Sequence, residues 1–169
     1  VKSEPNVTPT ASMSTVLEKL GEQYQPSKRL HNYLPIYSRY FNEKREKVKS
    51  FLEIGLETDR SIKMWEAYFP NAQIYGIDIN PTNKKFEGGR RKIFIGDQSD
   101  PEFLKSLPES FDVIIDDGSH HPHHIISTFN ALFPRLSNWG YYAVEDLELD
   151  LSWNQEALAF FKNIVNNIN

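Results

Sequence analysis

The densest collection of reactive side chains lies between residues 111 and 124: Phe111-Asp112-Val113-Ile114-Ile115-Asp116-Asp117-Gly118-Ser119-His120-His121-Pro122-His123-His124. A short apolar run rich in β-branched residues stops at two carboxylates, and a run of that kind reads as a buried parallel strand. Acids, a glycine and a histidine just past the C-terminal end of such a strand occupy the edge at which open α/β sheets bind ligands. Carboxylates there can hold a cation. An imidazole, with an unperturbed pKa of about 6.5, can move a proton near neutral pH. Pro122 suits the first position of a following helix.

Other acids sit at comparable places. Glu53 precedes Gly55, Asp78 closes a second apolar run, Asp97 follows a third by two residues, and Glu145-Asp146 closes the last. In a parallel sheet these ends share one edge, so the acids gather around one crevice. So many carboxylates repel one another unless a cation lies among them. A cationic ligand or a metal would offset the repulsion.

The first turn, Glu53-Ile54-Gly55-Leu56-Glu57-Thr58-Asp59-Arg60-Ser61, lacks the G-x-G-x-x-G of dinucleotide folds. Glu57 and Asp59 would repel a pyrophosphate at the helix N-terminus. A ligand with an ammonium and a sulfonium but no phosphate fits better. Asp78 follows Glu53 near the ~20-residue offset at which an acid grips ribose hydroxyls. Together these features favour S-adenosylmethionine over NAD.

The elements that must position these residues alternate. Apolar runs over 51–55, 73–79, 92–95, 112–116 and 141–145 predict strands. Helical patterns cover 61–69, 101–107, 122–136 and 155–168, while 81–91 lacks helical periodicity and reads as a loop. The fold class is therefore α/β, a Rossmann-like parallel sheet sandwiched by helices. Upstream, 1–14 reads as a polar lead-in and 15–24 as a short helix. Residues 25–41 read as a second helix whose Tyr33, Tyr37, Tyr40 and Phe41 pack on the sheet, and 42–49 as a charged turn. Residues 1–49 thus form a lead-in with packing helices, and 50–169 the ligand-binding domain.

Composition narrows the class. The 169 residues suit one domain, with 39% hydrophobic and 25% charged residues typical of a globular protein. A net charge of -4 argues against a nucleic-acid partner, and the absence of cysteine removes disulfides and thiolate sites. No apolar run approaches the ~18 residues of a membrane span, and the start lacks a signal-peptide core. A cytoplasmic protein without a membrane partner is expected.

From Phe51 to Leu147 the chain resembles the class I S-adenosylmethionine-dependent methyltransferases. Within them it is most similar to the sugar O-methyltransferases of glycosylated macrolides and related antibiotics (the mycinamicin and macrocin type). The matching segments are Phe51-Leu52-Glu53-Ile54-Gly55, Ile74-Tyr75-Gly76-Ile77-Asp78-Ile79, Phe94-Ile95-Gly96-Asp97-Gln98-Ser99-Asp100, Ile115-Asp116-Asp117-Gly118-Ser119-His120 and Val144-Glu145-Asp146-Leu147. The segment His31-Asn32-Tyr33 is also similar to that branch. The resemblance implies that S-adenosylmethionine lies against Glu53 and Gly55, with Asp78 on its ribose and Asp97 and Gln98 near the adenine. Asp116 would support the strand end. It also implies that Mg²⁺ is held by Asp117, Glu145 and Asp146, a hard all-oxygen set that suits this ion, with His120 as general base. The substrate would be a small glycosylated molecule, and the family's habit of oligomerising implies a homo-oligomer.

The chain departs from the family at Glu57-Thr58-Asp59 and at Asn138-Trp139-Gly140, a turn that usually carries more glycine. The family's last two strands have no counterpart after 155–168. Two other readings remain: a catalytically silent S-adenosylmethionine-binding scaffold, and a Rossmann-type oxidoreductase, which the acidic first turn disfavours. His121 and His123 read as exposed bystanders and His124 as open, while Pro122 stiffens the turn against a histidine-clustered zinc site.

Overall fold

The computed structural model of the chain describes residues 14–147 and 155–167. Its strands are β1 (Ser50–Ile54), β2 (Gln73–Asp78), β3 (Arg91–Ile95), β4 (Phe111–Asp116) and β5 (Leu136–Val144), all parallel in one sheet ordered β3-β2-β1-β4-β5. The chain steps outward from β1 to β3, then returns to β4 on the other side of β1. The order therefore reverses between β1 and β4, and a crevice opens beyond their C-terminal ends.

Both faces are covered. On one, helices α1 (Val16–Tyr24), α3 (Tyr33–Phe41) and α4 (Asp59–Tyr68) bury Leu17, Phe41 and Trp65 against Phe51, Ile74 and Val113. The single turn α2 (Ser27–Leu30) lies between α1 and α3. On the other face, α5 (Pro101–Lys105) and α6 (Pro122–Leu132) set Leu104 and Leu132 against Leu52, Ile54 and Ile114. Helix α7 (Gln155–Asn166) lies on α6, with Phe161 edge-on to Phe129 at 5.1 Å. Burying a large apolar side chain of this kind contributes about 1.5–3 kcal/mol.

The period of two in β1 matters for the site. Phe51 and Glu53 point to the α4 face while Leu52 and Ile54 point away, so Glu53 enters a layer that is otherwise aromatic. It is fully buried there and accepts hydrogen bonds from the Trp65 indole and the Ser61 hydroxyl.

Several boundaries differ from the sequence expectation, each for a local reason. The helix expected over 25–41 is broken at Asn32, whose φ of 59° separates α2 from α3. Asparagine tolerates that left-handed conformation better than most residues. Residues Pro81–Phe86 form a 3-10 helix capped by Asn80, a piece too short to show a hydrophobic period. The helix begun at Pro122 ends at Leu132, where Pro134 forces a 3-10 turn. Strand β5 begins at Leu136 and takes in Asn138-Trp139-Gly140, with a register shift opposite Phe111 and Val113. The lead-in expected over 1–14, apart from Ser14, lies outside the described residues. Among the described residues no helix is long and apolar enough to cross a membrane.

One turn fixes the crevice. Gly55 has φ 89°, and a Cβ built there would lie 2.0 Å from the Asp117 carbonyl oxygen. Both the backbone angle and the approach of the β4 loop exclude a side chain. Gly55→Ala is expected to cost about 2–4 kcal/mol in urea unfolding, because it combines strain with a clash against backbone. A loss below about 1 kcal/mol would show that the loop yields cheaply.

Candidate active site

The acids do converge beyond β1, β4 and β5, and a cation stands among them that the sequence did not reveal. Lys28, from the single turn α2, reaches under the sheet edge and is 2% exposed. Its Nζ lies 2.9 Å from Asp117 Oδ2, 3.1 Å from Glu53 Oε1 and 3.2 Å from Glu145 Oε1. Burial pulls the ammonium's pKa down, but Glu53, Glu145 and Asp117 together outweigh it and hold it above the ordinary lysine value. Burial likewise raises the Glu145 carboxyl to about 7, with Lys28 opposing.

Two tyrosines extend the network. Tyr33 and Tyr37, four residues apart on one face of α3, donate their hydroxyls to Asp146 Oδ1 and Glu145 Oε1, each at 2.7 Å. Tyr37 is also a core residue stacked on Phe41, as its spacing predicts, so one ring serves both core and site. Burial raises the phenol of Tyr33 to about 12 and that of Tyr37 well above its usual value, so both remain donors.

Asp117, His120 and Asp146 offer ligand atoms that all lie within 4.8 Å of one another, a grouping able to hold a metal ion. His120 Nε2 is 4.0 Å from Asp117 Oδ1, the oxygen not bonded to Lys28. His120 and Asp146 both have left-handed backbone, φ 56° and 59°, a conformation that non-glycine residues seldom adopt. Glu145, the third acid of the expected metal set, faces Lys28 and Tyr37 instead.

The crevice has two connected halves. One, of about 970 Å³ including open solvent, is lined by Lys28, His31, Glu53, Asp117, His120 and Asp146 among others. The other, of about 550 Å³ measured in the same way, runs over Ile54, Ile77, Ile79, Gly96, Gln98 and His124. Asp78, Gly55 and Gly118 line both. Asp78 sits at the junction, its oxygens accepting the Leu56 and Asn80 backbone N–H at 2.8 and 2.7 Å. Asp97 is tied locally to Ser99. Gln98 donates to Asp116 at 3.1 Å and accepts the Ser119 N–H at 2.7 Å, clamping the β4 loop. Glu53 Oε2 is buried without a hydrogen-bond partner and belongs to the lining of the acidic half, so it is poised to accept from a ligand. His121 and His123 stand outside this group, with His123 beside Glu156. His124 lines the apolar half and meets Ser119 Oγ at 2.9 Å.

No family model matches the chain. It is 34% identical over 149 residues to the L-olivosyl-oleandolide 3-O-methyltransferase of Streptomyces antibioticus, covering 81% of this chain and 38% of that protein. To the mycinamicin VI 2''-O-methyltransferase of Micromonospora griseorubida it is 39% identical over 128 residues, or 70% of this chain and 32% of that one. The solved MycE methyltransferase of the mycinamycin biosynthetic pathway, in complex with Mg and SAH, superposes with TM-score 0.82 at 32% identity, over 92% of this chain and 49% of that chain. The chain has the class I methyltransferase fold, and the curated relatives it matches are named O-methyltransferases. It spans about a third of the length of the curated relatives.

Within this methyltransferase fold, sequence reasoning missed Lys28, whose neighbours Pro26, Ser27 and Arg29 give no sign of burial. It also missed the hydroxyl roles of Tyr33 and Tyr37. The pairing of aromatic residues at helical spacing was visible, but which acids lay opposite was not.

The buried carboxyl of Asp116 has a measurable consequence. Burial raises it from 3.8 to about 7, against the Gln98 amide and the Gly118 N–H. The folded protein therefore holds this proton more tightly than the unfolded chain, so its stabilising share is present below about pH 4 and lost as the pH rises towards 7. Asp116→Asn should gain stability relative to wild type between about pH 4.5 and 8 in urea unfolding. A difference independent of pH would mean that the carboxyl titrates normally.

Proposed function

We propose that the chain is the S-adenosylmethionine-binding and catalytic core of a metal-assisted O-methyltransferase, acting on a sugar or polyol hydroxyl of a small glycosylated natural product. The observation that carries this reading is the grouping of Asp117, His120 and Asp146 in the acidic half of a crevice that Asp78 joins to an apolar half. Its relatives support the substrate class, since their names place them on sugars of macrolide and tetracenomycin compounds. The acidic, cysteine-free composition fits a cytoplasmic setting and no nucleic-acid partner.

The residues fit both groups. The apolar half suits an adenine, with Gln98 and Asp97 at its edge and Ile79 on its wall. Asp78 retains lone pairs for ribose hydroxyls after accepting two backbone amides. The unpartnered Oε2 of Glu53 would accept from the cofactor's ammonium, and the side-chain-free turn at Gly55 lets backbone approach it. When bound, S-adenosylmethionine supplies an activated methyl group.

Asp117 and Asp146 present hard oxygen donors suited to Mg²⁺, with Glu145 beside them. Bound there, Mg²⁺ supplies a charge that lowers the pKa of a nearby hydroxyl. His120, whose Nε2 lies 4.0 Å from Asp117 Oδ1, takes the hydroxyl proton. Tyr33 and Tyr37 keep the two acids after β5 from turning away. Alignment of nucleophile and methyl group supplies much of the remaining rate.

His120→Ala is expected to lower methyl transfer to a glycosylated acceptor by about 10²–10⁴-fold while leaving S-adenosylhomocysteine affinity nearly unchanged by calorimetry. Asp78→Ala should lose that binding. A His120→Ala variant with full turnover removes the base assignment, and failure of the wild type to bind S-adenosylhomocysteine removes the function.

A further inference from the structure

Lys28 lines the acidic half of the crevice together with Glu53, Asp117 and Asp146, and its ammonium touches the carboxylates of Glu53, Asp117 and Glu145. Lysines ordinarily keep the charged head in water. This one is carried inward by a four-residue turn set between the buried Pro26 and the left-handed Asn32. Its bonds are distributed in a directed way. Asp117 gives Oδ2 to Lys28 and keeps Oδ1 on the side of His120. Glu145 gives both oxygens to Lys28, at 3.2 and 3.3 Å, and its Oε1 also accepts from Tyr37. Asp146 accepts from Tyr33 and shares the metal-capable group with Asp117.

We infer that Lys28 is a resident counter-ion, a positioning residue that holds the acid cluster in its binding arrangement without a metal and weakens the cluster's hold on a divalent cation. The metal half of this inference rests on the function proposed above. The ordering half rests on the ion pairs alone. Three carboxylates this close, two of them buried, would protonate or splay apart with no cation, because an unpaired buried charge is far more costly than a paired one. The same fixed positive charge, a few ångströms from a divalent ion and poorly screened by solvent, repels that ion. Metal binding would then stay reversible, and the site would be formed before substrate arrives.

The full chain carrying Lys28→Met should melt about 10 °C below wild type in metal-free buffer, since a buried partner has been removed. Titrated with Mn²⁺ alone by calorimetry, the same variant should bind about tenfold more tightly than wild type. Lys28→Met combined with Glu145→Gln deletes a negative charge along with the positive one and should recover at least half of the lost melting temperature. A role confined to packing of the lysine stem would give no such recovery. Asp117→Asn serves as the control for the metal and should lose Mn²⁺ binding. Equal or weaker Mn²⁺ binding by a folded Lys28→Met variant overturns the inference, as does a double variant no more stable than the single. If Lys28→Met is insoluble, a soluble double variant supports the counter-ion role and loss of both overturns it. If the wild type binds no Mn²⁺, the metal reading fails by itself, and the melting temperatures still decide the ordering role.

Discussion

The site depends on one ammonium held among three carboxylates. Glu53, Asp117 and Glu145 come from the ends of three adjacent strands, and Lys28 ties all three at 2.9–3.2 Å. Parallel strands bring their C-terminal ends together whatever residues they carry. Acids placed there must be neutralised or solvated, and Glu53 and Glu145 are too buried for water to do it. The short N-terminal helices therefore do more than cover the sheet. Helix α2 delivers the cation, and α3 delivers the two phenols that satisfy Glu145 and Asp146.

The crevice itself follows from topology and from glycine. Reversal of strand order between β1 and β4 leaves their two loops without a helix crossing above them. Gly55 and Gly118 then let those loops pass closer than any side chain allows. A Cβ at Gly55 would meet the Asp117 carbonyl, and one at Gly118 would lie 2.0 Å from the Gln98 side chain. Gln98 in turn bridges Asp116 and the Ser119 N–H, so the loop carrying Asp117 and His120 is clamped by Gln98 as well as by Lys28. The reactive residues are thus held by bonds to both, which preorganises them.

The aromatic face of the sheet couples core and chemistry. Trp65 packs against Tyr37, Phe41, Phe51 and Phe69 and also donates its indole N–H to Glu53. Tyr37 lies in the same cluster and donates to Glu145. Buried tyrosine and tryptophan usually find partners for their polar atoms, and for Trp65 and Tyr37 those partners are site carboxylates. Packing that stabilises the fold therefore also sets the angle of the acids.

Much was legible in the sequence because it depended on local order. Alternating apolar runs and helical periods gave the parallel α/β sheet, and acids closing those runs marked the edge where the crevice lies. The acidic first turn without a second glycine separated this chain from dinucleotide binders. Asp116-Asp117-Gly118-Ser119-His120 and Glu145-Asp146 named the family of its relatives. Tertiary structure decided what depended on distance through space. Lys28 lies 25 residues before Glu53, 89 before Asp117 and 117 before Glu145. No period or motif links such positions, and a lysine between Ser27 and Arg29 reads as solvated until the fold buries it. Glu145 and Asp146 are neighbours in sequence, yet one faces Lys28 and Tyr37 while the other turns to Tyr33 and the metal-capable group. The left-handed backbone of Asp146 separates them, and residue type permits that angle at an aspartate without dictating it.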